Sequence, residues 1–191
     1  IAPMPEPQAR YTARNGKLNV LVVGGSLGAQ ALNEALPKAL AMMSEQERPN
    51  VIHQTGKKHF ESVQQLYKRA DVKADIRAFL DDMANQYAQA DLVICRAGAL
   101  TIAELAAAGV ASVLIPFPFA VDDHQTCNAR FLSERGAAIL LPQKELSAEK
   151  VAQLLRELRR NKLAAMAQAA RSLAKPGATR QVAKTCMDLA G

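Results

Sequence analysis

The feature that most limits what this chain can fold into is a repeated alternation of short apolar runs with stretches of helical composition. Apolar runs at 18–23, 51–54, 75–78, 92–95, 112–116 and 138–141 are separated by helical stretches at 27–43, 58–70, 82–90, 99–108 and 125–135. A strand covered on both faces reads as an apolar run rather than an alternating one, and parallel neighbours need a helical crossover between them. The pattern predicts an α/β fold, a doubly wound, Rossmann-like parallel sheet with helices on both faces. After Pro142 the pattern is purely helical: Ser147 is placed as an N-cap, helices run to about 174, Pro176-Gly177 interrupts, and a last helix covers 179–189.

A chain of 191 residues with 49% hydrophobic content buries one substantial core, so one domain is expected over 17–191. Residues 1–16 contain Pro3, Pro5 and Pro7 without a sustained period, and are expected to form an extended linker. No apolar run approaches the roughly 18 residues of a membrane span, and no export signal is visible. Cys95, Cys127 and Cys186 are odd in number and lack C-x-x-C spacing, which argues against a disulfide framework or a zinc site and for a cytoplasmic setting. The net charge of +6 is concentrated at the end of the chain, where residues 144–191 hold ten Lys or Arg against four Asp or Glu. Basic residues alternate there with acidic and apolar ones, so a solvated helical face is preferred to a membrane-binding patch. With 4% aromatics and no Trp there is no stacking platform, and no nucleic-acid partner is expected.

In a doubly wound sheet, ligands sit beyond the carboxyl ends of the strands. The stretch 91–128 reads as a nucleotide-sugar pocket at such an edge. Its strand at 92–95 leads through Gly98, which lets the chain turn tightly, into the helix at 99–108. The free N–H groups of Ala99, Leu100 and Thr101 would face a pyrophosphate, and Glu104, one turn further in, has two acceptor oxygens suited to a ribose diol. Gly24-Gly25-Ser26-Leu27-Gly28 closes the first strand and is read either as a second phosphate turn or as tight strand-to-helix packing with Ser26 as an N-cap. It is not the nicotinamide fingerprint, because the second strand ends in His53-Gln54-Thr55-Gly56 with no carboxylate for a ribose, and Gly56-Lys57-Lys58 is not a P-loop. His124, Gln125 and Asn128 share one helical face that suits sugar hydroxyls, the alternative being a polar first turn capped by Asp122 or Asp123. Asp122-Asp123 is D-D rather than the D-x-D of metal-dependent transferases, and His53 and His59 have no companion ligands, so no metal is assigned and both histidines are placed at the surface or at a strand end.

Four segments in order carry a resemblance: Gly24-Gly25-Ser26-Leu27-Gly28-Ala29, Phe79-Leu80-Asp81-Asp82-Met83, Arg96-Ala97-Gly98-Ala99-Leu100-Thr101-Ile102-Ala103-Glu104, and Asp123-His124-Gln125-Thr126-Cys127-Asn128-Ala129. From about Leu18 onward the chain resembles the C-terminal half of the MurG family, the N-acetylglucosaminyltransferases of peptidoglycan synthesis, which have the two-domain glycosyltransferase-B fold. The resemblance implies an inverting transferase that moves N-acetylglucosamine (GlcNAc) from its uridine diphosphate (UDP) carrier to undecaprenyl-pyrophosphoryl-MurNAc-pentapeptide, on the cytoplasmic face of the membrane. It implies UDP-GlcNAc as donor substrate, no tightly bound cofactor and a peripheral location. Ser26 would approach the diphosphate, and Leu80 would present main-chain groups to uracil. Phe79 and Met83 would wall the base or, equally, lie in the core; Asp81 and Asp82 read better as a helix cap and first turn. Ala99, Leu100, Thr101 and Glu104 would hold diphosphate and ribose, and His124, Gln125 and Asn128 the sugar. The family's N-terminal, acceptor-binding domain has no counterpart here and the first residue is Ile1, so an excised donor domain is expected, with no catalytic base of its own and a last helix that lacks its usual partner surface. Two alternatives stand beside it: a UDP-GlcNAc 2-epimerase-like domain, which would also use a diphosphate-binding helix, and a non-catalytic nucleotide-binding or basic-tail interaction module.

Overall fold

The computed structural model describes residues 4–25 and 28–190. Among the described residues, six strands form one fully parallel sheet: β1 (Asn19–Val23), β2 (Asn50–Gln54), β3 (Asp75–Arg77), β4 (Leu92–Cys95), β5 (Ser112–Leu114) and β6 (Ala138–Leu140). Their order is β3-β2-β1-β4-β5-β6. The chain winds outward from β1 to β3, then returns to the other side of β1 and winds outward again. The crossovers therefore part between β1 and β4, which opens a crevice at their carboxyl ends.

Successive residues of a strand point to opposite faces, and here both faces are dry. Val20, Val22, Val51, Leu92, Ile94 and Val113 belong to one core cluster, and Leu21, Val93, Cys95 and Leu114 to the other. Helices α2 (Gln30–Ala41), α3 (Phe60–Arg69) and α7 (Ala148–Glu157) bring Leu32, Leu36, Val63, Tyr67, Val151 and Leu155 to the first face. Helices α4 (Met83–Gln89), α5 (Ala99–Ala108) and α6 (His124–Ser133) bring Tyr87, Ile102, Leu105, Ala129 and Leu132 to the second. Ser147 caps α7 by accepting from Lys150 N at 3.1 Å, and Asp82 caps α4 by accepting from Asn85 N at 3.0 Å.

The amino-terminal segment departs from the extended linker expected of it. Residues Pro7–Thr12 form a helix, α1, with proline in its first turn, where a missing N–H costs nothing. It packs on α8 (Arg160–Ser172) at the amino-terminal edge of the sheet. Tyr11 is buried: its hydroxyl donates to Asp91 O at 2.7 Å and accepts from Ala111 N at 3.2 Å. Arg10 donates to Ala108 O and Gly109 O, and Arg171 of α8 also reaches Ala108 O, so two guanidiniums cover the carbonyl end of α5. Beside them the fully buried Asp91 pairs with Arg14 at 2.8 Å and Arg160 at 3.2 Å. Burial works to raise the Asp91 carboxyl, but the Asn19 N–H and the two arginines outweigh it and hold the group below its ordinary range. Arg160 and Arg171 thus act as internal clamps rather than as part of a solvated basic face.

The last helix, α9 (Ala178–Ala190), has its described side chains exposed, Val182, Met187 and Leu189 among them. No helix among the described residues is long and apolar enough to cross a membrane.

Candidate functional site

The register places Val23 of β1 beside Gln54 of β2 and Cys95 of β4. The segments that follow these strands, together with Leu80 after β3 and Phe117 after β5, converge on the carboxyl edge.

After β1 the chain turns sharply. A side chain at Gly24 would put its Cβ 2.7 Å from Ala29 N; one at Gly28, where φ is +76°, would meet Thr55 O at 2.3 Å. Gly28 therefore lies directly on the end of β2. That end is held by a buried polar chain in which Asn33 of α2 donates to Thr55 O at 3.1 Å, and His53 bonds Asn33 Oδ1 at 3.0 Å and Tyr67 Oη at 2.9 Å. Burial lowers His53 to about 4, so the ring is neutral, donating from Nε2 to Asn33 and accepting the Tyr67 hydroxyl at Nδ1. The surface or strand-end position expected for His53 is thus corrected: it lies inside the core. His59 sits against the turn, its Cδ2 2.8 Å from where a Gly28 Cβ would be. Ser26 lies outside the described residues; Gly24, Gly25 and Gly28 are within them.

After β4 the chain enters α5. Gly98 has φ −66° and ψ 149°, backbone open to any residue, and a Cβ there would touch only Thr101 Oγ1 at 3.7 Å. The turn from β4 into α5 therefore does not require a glycine at this position, and its missing side chain instead leaves the mouth of the helix uncovered. No side chain caps α5, and the N–H groups of Ala99, Leu100 and Thr101 make no hydrogen bond among the described residues. Three unbonded donors at the positive end of a helix form an anion-binding surface. One turn inside, the half-buried Glu104 accepts from the Tyr87 hydroxyl at 3.0 Å through Oε2, which leaves Oε1 for another donor. Burial, then Cys95 and Glu104 nearby, push the Tyr87 phenol well above its ordinary range and keep it a donor.

Leu80 is itself buried, but its main-chain N–H and C=O make no hydrogen bond among the described residues, while neighbouring Phe79 is exposed and Met83 half-buried. Around β5, Arg96 donates to Ile115 O at 3.1 Å, Pro116 O at 3.2 Å and Gln143 Oε1 at 2.6 Å. Its guanidinium lies 5.4 Å from the Phe117 ring centre. Phe117 N in turn donates to Gln125 Oε1 at 3.0 Å, and Asn128 Nδ2 donates to Ala97 O at 3.1 Å. These contacts fix polarity: Gln125 keeps its Nε2 donors and Asn128 its Oδ1 acceptor for a ligand. His124 stands exposed at the first residue of α6. Asp123 holds the N-cap position but does not cap; it is left-handed, and its carboxylate accepts from Thr126 Oγ1 at 2.6 Å. The capped first turn offered as the alternative for this segment is therefore not formed.

A large open groove lies at the opposite edge of the sheet, lined by Asn19, Asn50, Asp75 and Gln86, and contains none of the motif residues. The unbonded donors and the oriented carboxylate lie instead at the carboxyl edge.

Gln54, Tyr87, Arg96 and Phe117 were not assigned roles from sequence. Only Gln54 carried a signal, as a polar residue closing a strand that is otherwise set for burial.

Residues 19–185 match the glycosyltransferase family 28 C-terminal domain. The chain belongs to this family. A relative from Burkholderia mallei (strain SAVP1), named UDP-N-acetylglucosamine–N-acetylmuramyl-(pentapeptide) pyrophosphoryl-undecaprenol N-acetylglucosamine transferase, is 56% identical over all of the chain and 53% of that protein. Among solved structures, Acinetobacter baumannii MurG is 44% identical with a TM-score of 0.89, covering 98% of this chain and 54% of that one. The C-terminal CMP-Kdo binding domain of WaaA from the same organism, at 12% identity and a TM-score of 0.57 over 85% of this chain and 93% of that one, shares the fold alone. The family 28 domain seen here thus spans about half the length of the curated relatives it matches, and it has the sheet and flanking helices of glycosyltransferase-B folds.

Proposed function

We propose that this family 28 domain binds UDP-GlcNAc as the donor half of an inverting transferase that moves GlcNAc to undecaprenyl-pyrophosphoryl-MurNAc-pentapeptide. The observation that carries the reading is the pairing, on one helix, of three unbonded N–H groups at Ala99, Leu100 and Thr101 with a carboxylate at Glu104 already oriented by Tyr87. The first would take the diphosphate and the second the ribose hydroxyls. Gly24, Gly25, Ser26 and Gly28 would face the phosphates from the β1 side, and the main chain of Leu80 would read uracil. Gln125, Asn128 and His124 would hold the sugar. As the glycosidic bond breaks, negative charge grows on the departing diphosphate, and donors fixed in advance stabilise it without reorganising. The role needs no protein-bound metal or tightly held cofactor.

The acceptor and the general base would come from an N-terminal half. The exposed apolar residues of α9 fit a helix that packs on that half, and a peripheral membrane location follows from a lipid-linked acceptor.

Calorimetry with UDP-GlcNAc tests the reading. Charged hydrogen bonds contribute about 1.5–3 kcal/mol, so Glu104→Ala should weaken UDP binding about tenfold or more. Unchanged affinity in the folded variant removes Glu104 from the site. A turnover assay with labelled donor and a lipid-linked acceptor analogue should give product only when the N-terminal half is added; turnover by the chain alone contradicts the division of labour.

A further inference from the structure

Gln54 is the last residue of β2 and is only 3% exposed, yet every polar atom of its amide is engaged at the site edge. Its Oε1 accepts from Gly25 N at 3.1 Å and its Nε2 donates to Gly25 O at 2.9 Å, so the side-chain amide pairs with both main-chain groups of one residue of the glycine turn. Nε2 also reaches Ala78 O at 3.3 Å, two residues before Leu80. The main chain of Gln54 adds a fourth hydrogen bond, accepting from Gly24 N at 3.2 Å. One side chain thus joins the turn after β1 to the segment after β3.

We propose that Gln54 is a positioning residue that fixes the Gly25 turn relative to the Leu80 segment, so that a nucleoside diphosphate is bound at its base and its phosphates in one rigid frame. This role rests on the donor-site reading given above. Only glutamine meets the geometry. Glutamate has no donor for Gly25 O or Ala78 O, asparagine is a methylene too short, and an apolar residue leaves Gly25 with the freedom of a glycine at φ +82°. A turn free to sample other conformations must be ordered at each binding event, which costs affinity for any ligand that uses it. Uridine, which has no phosphates, does not incur that cost.

The test uses Gln54→Met, which fills the same space without the bonds, and Gln54→Glu, which keeps only the acceptor. In the ligand-free protein, Gly25 amide exchange measured by NMR should speed up about tenfold or more in Gln54→Met and stay slow in Gln54→Glu. The ratio of UDP to uridine affinity should fall about tenfold in both variants, equivalent to the loss of about 1.4 kcal/mol of advantage for the diphosphate. That ratio does not respond to the fraction of protein folded, so a purely structural role would leave it unchanged, and an unchanged ratio overturns the proposal. If the wild-type chain shows no preference for UDP over uridine, the donor-site reading fails. The exchange measurement still decides the clamp by itself: equal Gly25 exchange in wild type and Gln54→Met overturns it.

Discussion

Polarity at single side chains decides what the proposed sugar end of the site would recognise. Amide side chains are versatile in isolation, but Gln125 gives its oxygen to Phe117 N and Asn128 gives its NH₂ to Ala97 O. The groups left wholly unengaged among the described residues are the NH₂ of Gln125 and the Oδ1 of Asn128, a donor and an acceptor that complement neighbouring hydroxyls. Each neutral hydrogen bond contributes about 0.5–1.5 kcal/mol, so Gln125→Ala or Asn128→Ala should reduce UDP-GlcNAc affinity a fewfold to tenfold while leaving UDP nearly unaffected. Equal losses for UDP and UDP-GlcNAc in calorimetric titrations would assign these residues to the nucleotide instead. The placement of both residues on one helix was legible in the sequence, because helical spacing is local information. Their polarity was not, since it is set by Phe117 and Ala97, eight and thirty-one positions away.

At the scale of elements, the clearest part of the sequence was the pair of strands β1 and β4. Val20, Leu21 and Val22 in one and Leu92, Val93 and Ile94 in the other are all buried, so both cores write themselves into a continuous apolar run. Helix α1 was illegible for the opposite reason. It has six residues and three nearby prolines, and a helix that short draws its stability from docking rather than from propensity. Its partners, Asp91 and Ala108 to Ala111, lie eighty to a hundred positions away. The docking makes a prediction: Tyr11→Phe keeps the ring packing but leaves the Ala111 N–H buried and unpaired, and should destabilise the chain by about 1–3 kcal/mol in urea unfolding. A change below a few tenths of a kcal/mol would mean that the hydroxyl contacts do not hold α1 in place. Gly98 shows the other limit of sequence reading. A glycine before a helix suggests a turn, but here it leaves space at the mouth of α5, and the spelling is the same for both.

For the molecule as a whole, the site is mounted on buried polar groups whose protonation matters to stability. His53 is held to about 4 by burial, whereas an unfolded chain would titrate it near 6.5. Between those values the unfolded state binds more protons, so stability is fully present above pH 6.5 and is lost as the pH falls toward 4, by at most about 3 kcal/mol from this group. Asp91 adds a further loss at lower pH, since its carboxyl is also held below its ordinary range. The urea midpoint should therefore decline from pH 6.5 downward, with the slope between 6.5 and 4 largely removed in His53→Gln; a decline of equal slope in that variant would exclude His53 as its source.

The proposed donor site lies at the carboxyl edge of this sheet, and not in the groove at the other edge. Amide chemical shifts of the labelled chain, followed during titration with UDP-GlcNAc, distinguish the two edges. Saturable changes are expected at Gly25, Leu80, Ala99 to Thr101, Glu104 and Gln125, with Asn19, Asn50 and Asp75 unmoved. Changes gathered at Asn19, Asn50, Asp75 and Gln86, or none at any residue, would contradict that placement.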